Sequence, residues 1–118
     1  MKNLYVIGPV TGIENDNRPA FEAARQRLFA AGYWVVGIPH DHIASGTPWG
    51  MAMRISICKM LGHGAGRGFG HIVYDGVAML PGWEDSKGAR IEHDLAAELG
   101  IPCKTVDEWI EEARNGRA

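Results

Sequence analysis

The sequence predicts a three-layer α-β-α fold of the flavodoxin or Rossmann type, built on a parallel sheet of about four to five strands. Short apolar runs alternate along the chain with longer segments in which apolar residues recur at helical spacing. The short runs contain almost no polar residues, which is typical of strands that are buried on both faces. Glycine or proline follows most of these runs, which indicates that the strands end in loops. This alternation favours a sheet that is covered by helices on both sides.

The predicted helices have recognisable start and stop signals. Pro19 lies in the first turn of the first helix and Gly32 directly follows its last residue. Thr47 and Pro48 open the second helix as a cap and a first helical residue. The predicted helices are 19–31, 48–61, 86–99 and 106–114. The predicted strands are 4–7, 33–36, 76–80 and 101–105, with an earlier start of the third strand at Ile72 left open.

The composition limits the class of protein. Residues 1–118 are predicted to form a single domain, which is long enough to bury one core. The formal net charge of −2 argues against binding to a nucleic-acid polymer, because surfaces that do so are normally basic. Cys58 and Cys103 lie far apart, so no disulfide framework is expected. No apolar run is long enough for a signal peptide or a membrane span, so a cytoplasmic protein without membrane contact is expected.

The carboxyl ends of the predicted strands mark the place where function is expected. Right-handed crossovers bring these ends to one edge of a parallel sheet. Ligands bind at this edge, close to the point where the strand order reverses. The segments expected there are 8–17, 37–47 and 81–87. The glycine-rich segment 62–71 is interpreted instead as a loop that acts as a lid or an oligomer contact.

Glu92 is the main candidate for chemistry because it lies near this edge in the third predicted helix. Ile91, Leu95 and Leu99 are expected to face the core, and Glu92 borders their stripe. The nearby helix N-terminus favours an ionised carboxylate. A carboxylate whose approach is cleared by Gly88 is suited to attack an electrophilic sugar carbon. The alternative is an ordinary solvated glutamate on the helix surface.

Other residues near the edge have both a functional and a structural interpretation. Trp83 and Trp49 either stack on a nucleobase or serve core or interface packing. Asn17 and Arg18 open the first helix and either cap it or reach a ligand. The five histidines lack the close spacing of zinc or iron sites, so no metal and no cofactor is predicted.

Three segments together resemble the nucleoside 2-deoxyribosyltransferase superfamily. They are YVIGPVTG near the start, NRPAF at the opening of the first helix, and LPGWEDSKGARIEHDLAAELGIP. The resemblance is to the small phage and bacterial branch of the superfamily, which is described only as a domain of unknown function. It covers nearly the whole chain except the 62–71 loop.

The resemblance implies a reaction at the N-glycosidic bond of a (deoxy)nucleoside or its 5′-monophosphate. It implies that Glu92 attacks the anomeric carbon to form a covalent glycosyl-enzyme, and that Tyr5 holds this nucleophile in place. It also implies a homo-oligomer in which a neighbour completes the pocket. The residues expected to contact the sugar or its 5′ substituent are Gly8, Pro9, Thr11 and Gly12 in the first loop, and Ser86 and Gly88 at the start of the third helix.

Two departures from the superfamily pattern leave alternatives open. Arg90 stands where several relatives have a second glycine, and it either narrows the pocket or binds a phosphate. The acidic residue that some relatives carry after the third strand is missing, so Asp85 and Glu84 are the candidates for the acid that protonates the departing base. The alternatives to an enzyme are a non-catalytic protein that sequesters a nucleotide, and an interaction module that uses the tryptophans and the glycine-rich loop.

Overall fold

The computed structural model describes residues 2–62 and 73–116, and its centre is a four-stranded parallel sheet. The strands are β1 (Leu4–Ile7), β2 (Val36–Gly37), β3 (Gly76–Met79) and β4 (Cys103–Thr105). They lie in the order β2-β1-β3-β4, and each neighbouring pair is parallel. The helices are α1 (Arg18–Ala31), α2 (Trp49–Met60), α3 (Lys87–Glu98) and α4 (Val106–Gly116). The predicted α/β class is confirmed.

The side chains of β1 divide the core into two parts, because successive residues of a strand point to opposite faces of the sheet. Leu4 and Val6 pack with buried residues of α1 and α4. Tyr5 and Ile7 pack on the other face with buried residues of α2 and α3. None of these four side chains is more than 1% exposed. The sheet is therefore the middle of three layers, as the apolar strands predicted.

The loop that follows β1 contains an unusual backbone turn. Asn15, Asp16 and Asn17 have φ angles of 56°, 54° and 58°, in the left-handed region. Asparagine and aspartate enter this region more readily than other non-glycine residues. The Asn17 side chain donates from Nδ2 to the carbonyl of Pro9 over 2.8 Å, which fastens the turn to the first residues after the strand.

The second strand is shorter and begins later than the predicted 33–36. Gly32, with a φ of 109°, ends α1 with backbone hydrogen bonds into the last turn of that helix. The Tyr33 hydroxyl then donates to the carbonyl of Trp109, and Trp34 remains 70% exposed. Pairing with β1 begins only at Val36. The prediction was wrong here because Tyr33 packs against α4 and Trp34 faces solvent.

Helix α3 turns a different face to the sheet from the predicted one. Its buried residues are Ala89, Glu92 and Ala96, whereas Ile91 is 39% and Leu99 is 58% exposed. The two alanines are small, so the helix backbone can lie close to the sheet on that side. The prediction that Ile91 and Leu99 face the core is therefore wrong, and a glutamate occupies a core-facing position.

Two sequence predictions concern parts of the chain that the structure does not cover. The predicted loop 62–71 lies outside the described residues except for Gly62, and so does the alternative strand start at Ile72.

Among the helices of the described residues, none combines the length and the apolar character that a membrane span needs.

Candidate active site

A cavity of about 890 Å³ lies at the carboxyl ends of the strands. Its walls are formed by the segments that follow β1, β2 and β3, and by residues of α2 and α3. All three segments predicted for this edge contribute to the walls. The boundary between β1 and β3 is the point at which the strand order reverses. The position and the volume are both typical of small-molecule sites in parallel α/β sheets.

Glu92 lies in the wall of this cavity and is 5% exposed. It is held by Ser56 of α2, whose hydroxyl donates to Oε2 of the carboxyl group. Ser56 is also 5% exposed, and its Oγ lies 2.8 Å from the hydroxyl oxygen of Tyr5. The resemblance implied that Tyr5 holds Glu92, and in the structure the hydrogen-bonded link between them passes through Ser56. Oε1 of Glu92 accepts no hydrogen bond within residues 2–62 and 73–116.

Burial raises the pKa of both acidic groups in this series of contacts, Glu92 and Tyr5. It raises the pKa of Glu92 from its ordinary 4.5 to about 7, although the hydrogen bond from Ser56 acts in the opposite direction. Burial also raises the pKa of Tyr5 far above its ordinary value, so the phenol keeps its proton. The sequence predicted that Glu92 lies one to two turns inside the helix and that the nearby N-terminus keeps it ionised. Glu92 does lie beyond the first turn of α3, but the helix dipole has weakened there and desolvation dominates.

Replacement of Glu92 by glutamine is expected to stabilise the protein at pH 8 and to have little effect at pH 4.5. Between the unfolded pKa near 4.5 and the folded pKa of about 7, the folded state binds more protons. The free energy of unfolding therefore falls by about 3 kcal/mol as the pH rises through this interval, and the neutral amide escapes this loss. Urea unfolding of the wild type and Glu92→Gln at both pH values measures the difference. An equal difference at the two pH values would contradict the raised pKa.

Most of the residues that the sequence predicted for the site do lie in the cavity wall. Ser86 is the N-cap of α3, and its Oγ accepts a 3.2 Å hydrogen bond from the backbone N–H of Ala89. Asp85 lies beside it and is exposed. The predicted residues found in the wall, besides Glu92, are Gly8, Pro9, Thr11, Gly12, Asp85, Ser86 and Gly88. Tyr5 lies behind the wall and reaches Glu92 only through Ser56.

The remaining predicted residues lie outside the wall of this cavity. Asn17 is engaged with the loop after β1, and Arg18 borders a second, adjoining cavity of about 500 Å³. Arg90 donates to the carbonyl of Glu84 over 2.9 Å, away from the cavity. The Trp83 ring packs against the ring of His93, with centroids 4.4 Å apart. These contacts favour the structural interpretation of Asn17 and Trp83.

The family profile that matches this sequence covers residues 2–105. The chain belongs to the family described as a domain of unknown function (DUF4406). Every residue of the cavity wall falls inside the matched region, whereas α4 lies beyond it. No curated protein and no solved structure matches the chain.

Sequence reasoning missed the contribution of α2 to the site apart from Trp49. Ser56 is a single hydroxyl in the apolar run ISIC, and this polar interruption of a helix was the available signal. Met53 lies opposite Gly88, where a Cβ atom would come within 2.9 Å of its sulfur. Glycine at this position therefore lets α3 approach α2. Trp49 lines the cavity, and the Lys87 ammonium lies 4.8 Å from the centre of its ring.

His40, in the segment after β2, also lines the cavity. Its Nε2 lies 2.7 Å from the carbonyl oxygen of Asp16, which can only accept, so Nε2 carries the proton in the neutral ring. Its Nδ1 is buried and has no partner within the described part of the chain. A group of three or more His, Cys, Asp or Glu residues placed to hold a metal ion is not found among the residues that the structure describes.

Proposed function

We propose that the protein cleaves the N-glycosidic bond of a (deoxy)nucleoside or nucleoside 5′-monophosphate, by hydrolysis or by transfer, with Glu92 as the nucleophile. The proposal includes membership of the nucleoside 2-deoxyribosyltransferase-like superfamily, which the sequence motifs resemble. The observation that carries it is the position of Glu92. Its carboxyl group is buried in the wall of a cavity of nucleotide size, and one of its oxygens is free of protein hydrogen-bond donors among the described residues.

The proposed step is a displacement at the anomeric carbon. A bond forms between Glu92 and C1′ while the bond from C1′ to the base nitrogen breaks. The electron pair of the broken bond leaves with the base, which takes a proton from Asp85 or from water in the cavity. Water or a second base then attacks C1′ and releases the carboxylate. Asp85 is the more suitable of the two predicted acids because it lines the cavity.

The other walls of the cavity suit the remaining parts of such a substrate. The backbone N–H groups at the start of α3, beside the exposed Lys87, are suited to a 5′-phosphate because helix N-termini favour anions. Trp49 is partly exposed in the wall and offers a ring face to a base. Such stacking contributes about 1–3 kcal/mol per base. Of the two tryptophans that the sequence predicted, Trp49 is therefore the proposed stacking residue.

The alternative function is a non-catalytic protein that sequesters a nucleotide. The observation that favours it is the raised pKa of Glu92, about 7, because a protonated carboxyl group is no nucleophile. A protonated Glu92 would instead donate a hydrogen bond to a bound ligand. The two functions therefore share one cavity and differ in the protonation of one side chain when the ligand is bound.

A substrate panel separates the two functions. The protein is incubated at pH 8 with deoxynucleosides, ribonucleosides and their 5′-monophosphates, and free base is measured by chromatography. Each incubation is repeated with a second free base present, so that transfer products are detected beside hydrolysis. Release of base from at least one substrate is the expected result. Micromolar binding in calorimetry without any release would establish the sequestering function instead, and neither binding nor release would contradict both.

A further inference from the structure

The buried hydroxyl groups of Tyr5 and Ser56 form a hydrogen-bond chain with a defined direction. A serine hydroxyl has one proton to donate. When Glu92 is ionised, the Ser56 proton is directed to its Oε2, so the 2.8 Å contact between Ser56 and Tyr5 uses the proton of the phenol. The direction is therefore from Tyr5 through Ser56 to Glu92. It joins the central strand β1, which lies behind the cavity wall, to the helices α2 and α3, which contribute to that wall.

This direction makes the two oxygens of Glu92 inequivalent. Oε2 is occupied by Ser56, whereas Oε1 has no hydrogen-bond donor among the described residues. We propose that Ser56 is the positioning residue of the site: it holds Oε2 of Glu92 towards Tyr5, presents Oε1 to the ligand, and favours the ionised carboxylate. This inference deepens the proposed function and rests on it for the identity of Oε1 as the attacking atom.

The chemistry of the proposed step agrees with this assignment of the two oxygens. When Oε1 forms its bond to C1′, Oε2 becomes the carbonyl oxygen of the resulting ester and keeps the hydrogen bond from Ser56. A hydrogen bond to an ionised acceptor is stronger than one to a neutral acceptor. Ser56 therefore acts most strongly before attack, when it opposes the tendency of burial to protonate Glu92.

Other titratable groups around the cavity also influence the ionisation of Glu92. Tyr5 of β1 is linked to Glu92 by hydrogen bonds through Ser56, and Ser56 itself, from α2, is uncharged. The titratable groups elsewhere in the cavity wall are Asp16, His40, Asp85 and Lys87. They are unchanged in variants of Ser56, so a difference in the titration of Glu92 between such variants reports the hydroxyl group.

The test is the titration of the Glu92 carboxyl carbon by NMR in the wild type, Ser56→Ala and Ser56→Thr. Loss of a hydrogen bond to a charged group is expected to raise the midpoint by about one pH unit in Ser56→Ala, and Ser56→Thr is expected to restore it. Tyr5→Phe removes only the first donor of the chain and is expected to give a smaller rise in the same direction. Ser45→Ala, an exposed serine outside the cavity wall, is the matched control.

Kinetics supply the second readout. In Ser56→Ala, kcat is expected to fall about tenfold at pH 9 with KM unchanged, and about another tenfold at pH 6, where less Glu92 is ionised. An unchanged NMR midpoint in Ser56→Ala would overturn the inference, because a serine that only fills space does not alter the titration of Glu92. The NMR result does not depend on turnover. A raised midpoint in a protein that releases no base would support the role of Ser56 while contradicting the proposed function.

Discussion

Glu92→Gln is expected to lower the rate of base release by about 10,000-fold on any substrate that the panel identifies. Loss of a nucleophile removes the covalent step, and the remaining rate comes only from binding and orientation of the substrate. The amide has nearly the same shape as the carboxyl group, and its carbonyl oxygen can still accept a hydrogen bond from the Ser56 hydroxyl. Nucleotide binding, measured by calorimetry, is therefore expected to persist. The loss would then appear in kcat rather than in KM.

The matched control for this experiment is Glu98→Gln, an exposed glutamate on the same helix. Its rate is expected to equal that of the wild type. Turnover by Glu92→Gln at a rate close to that of the wild type would show that another group, or an activated water, carries the reaction. The wild-type rate should also rise with pH through a midpoint near 7, the pKa of the buried carboxyl group, because only the ionised form attacks.

Trp109→Ala is expected to lower the free energy of unfolding by about 3–5 kcal/mol, the usual cost of truncating a buried large side chain. Trp109 is fully buried, and its Nε1 donates to the carbonyl of Val77 in β3 over 2.8 Å. Its ring lies over Gly76, where any side chain would collide with it. The free energy of unfolding of a small domain is only about 5–15 kcal/mol, so this one residue of α4 is expected to contribute a large share of it. Urea unfolding at constant pH measures the change.

Two further variants make the stability test specific. Trp109→Phe keeps much of the packing but loses the hydrogen bond to Val77, so a smaller loss of about 1–3 kcal/mol is expected. Trp34→Ala is the control, because its side chain is 70% exposed and its loss should change stability by less than about 0.5 kcal/mol. A loss in Trp109→Ala no larger than that of the control would show that α4 contributes little to the fold.

The fold was predictable because its signals are local. Apolar runs and helical spacing identified the four α-helices of the described residues, and the boundaries of α3 differ from the prediction by one residue at each end. The prediction of Thr47 as a cap was wrong, because the N-cap of α2 is Pro48. The carboxyl edge of the sheet followed from the chirality of the crossovers, and the first loop and the start of α3 line the cavity at that edge. Strand β2 was misplaced because apolar character does not show that Tyr33 packs against α4 and that Trp34 faces solvent.

The sequence by itself determined the alternation of strands and helices, and with it the edge of the sheet where a ligand can bind. Only the tertiary structure decided which face of α3 meets the sheet. The helix has two apolar stripes, and the small residues Ala89 and Ala96 face the sheet while the larger Ile91 and Leu99 stay exposed. That choice buries Glu92, raises its pKa, and brings Ser56 of a different helix to its carboxyl group. Residues 36 positions apart in the chain meet here, and no periodicity within either helix encodes that distance.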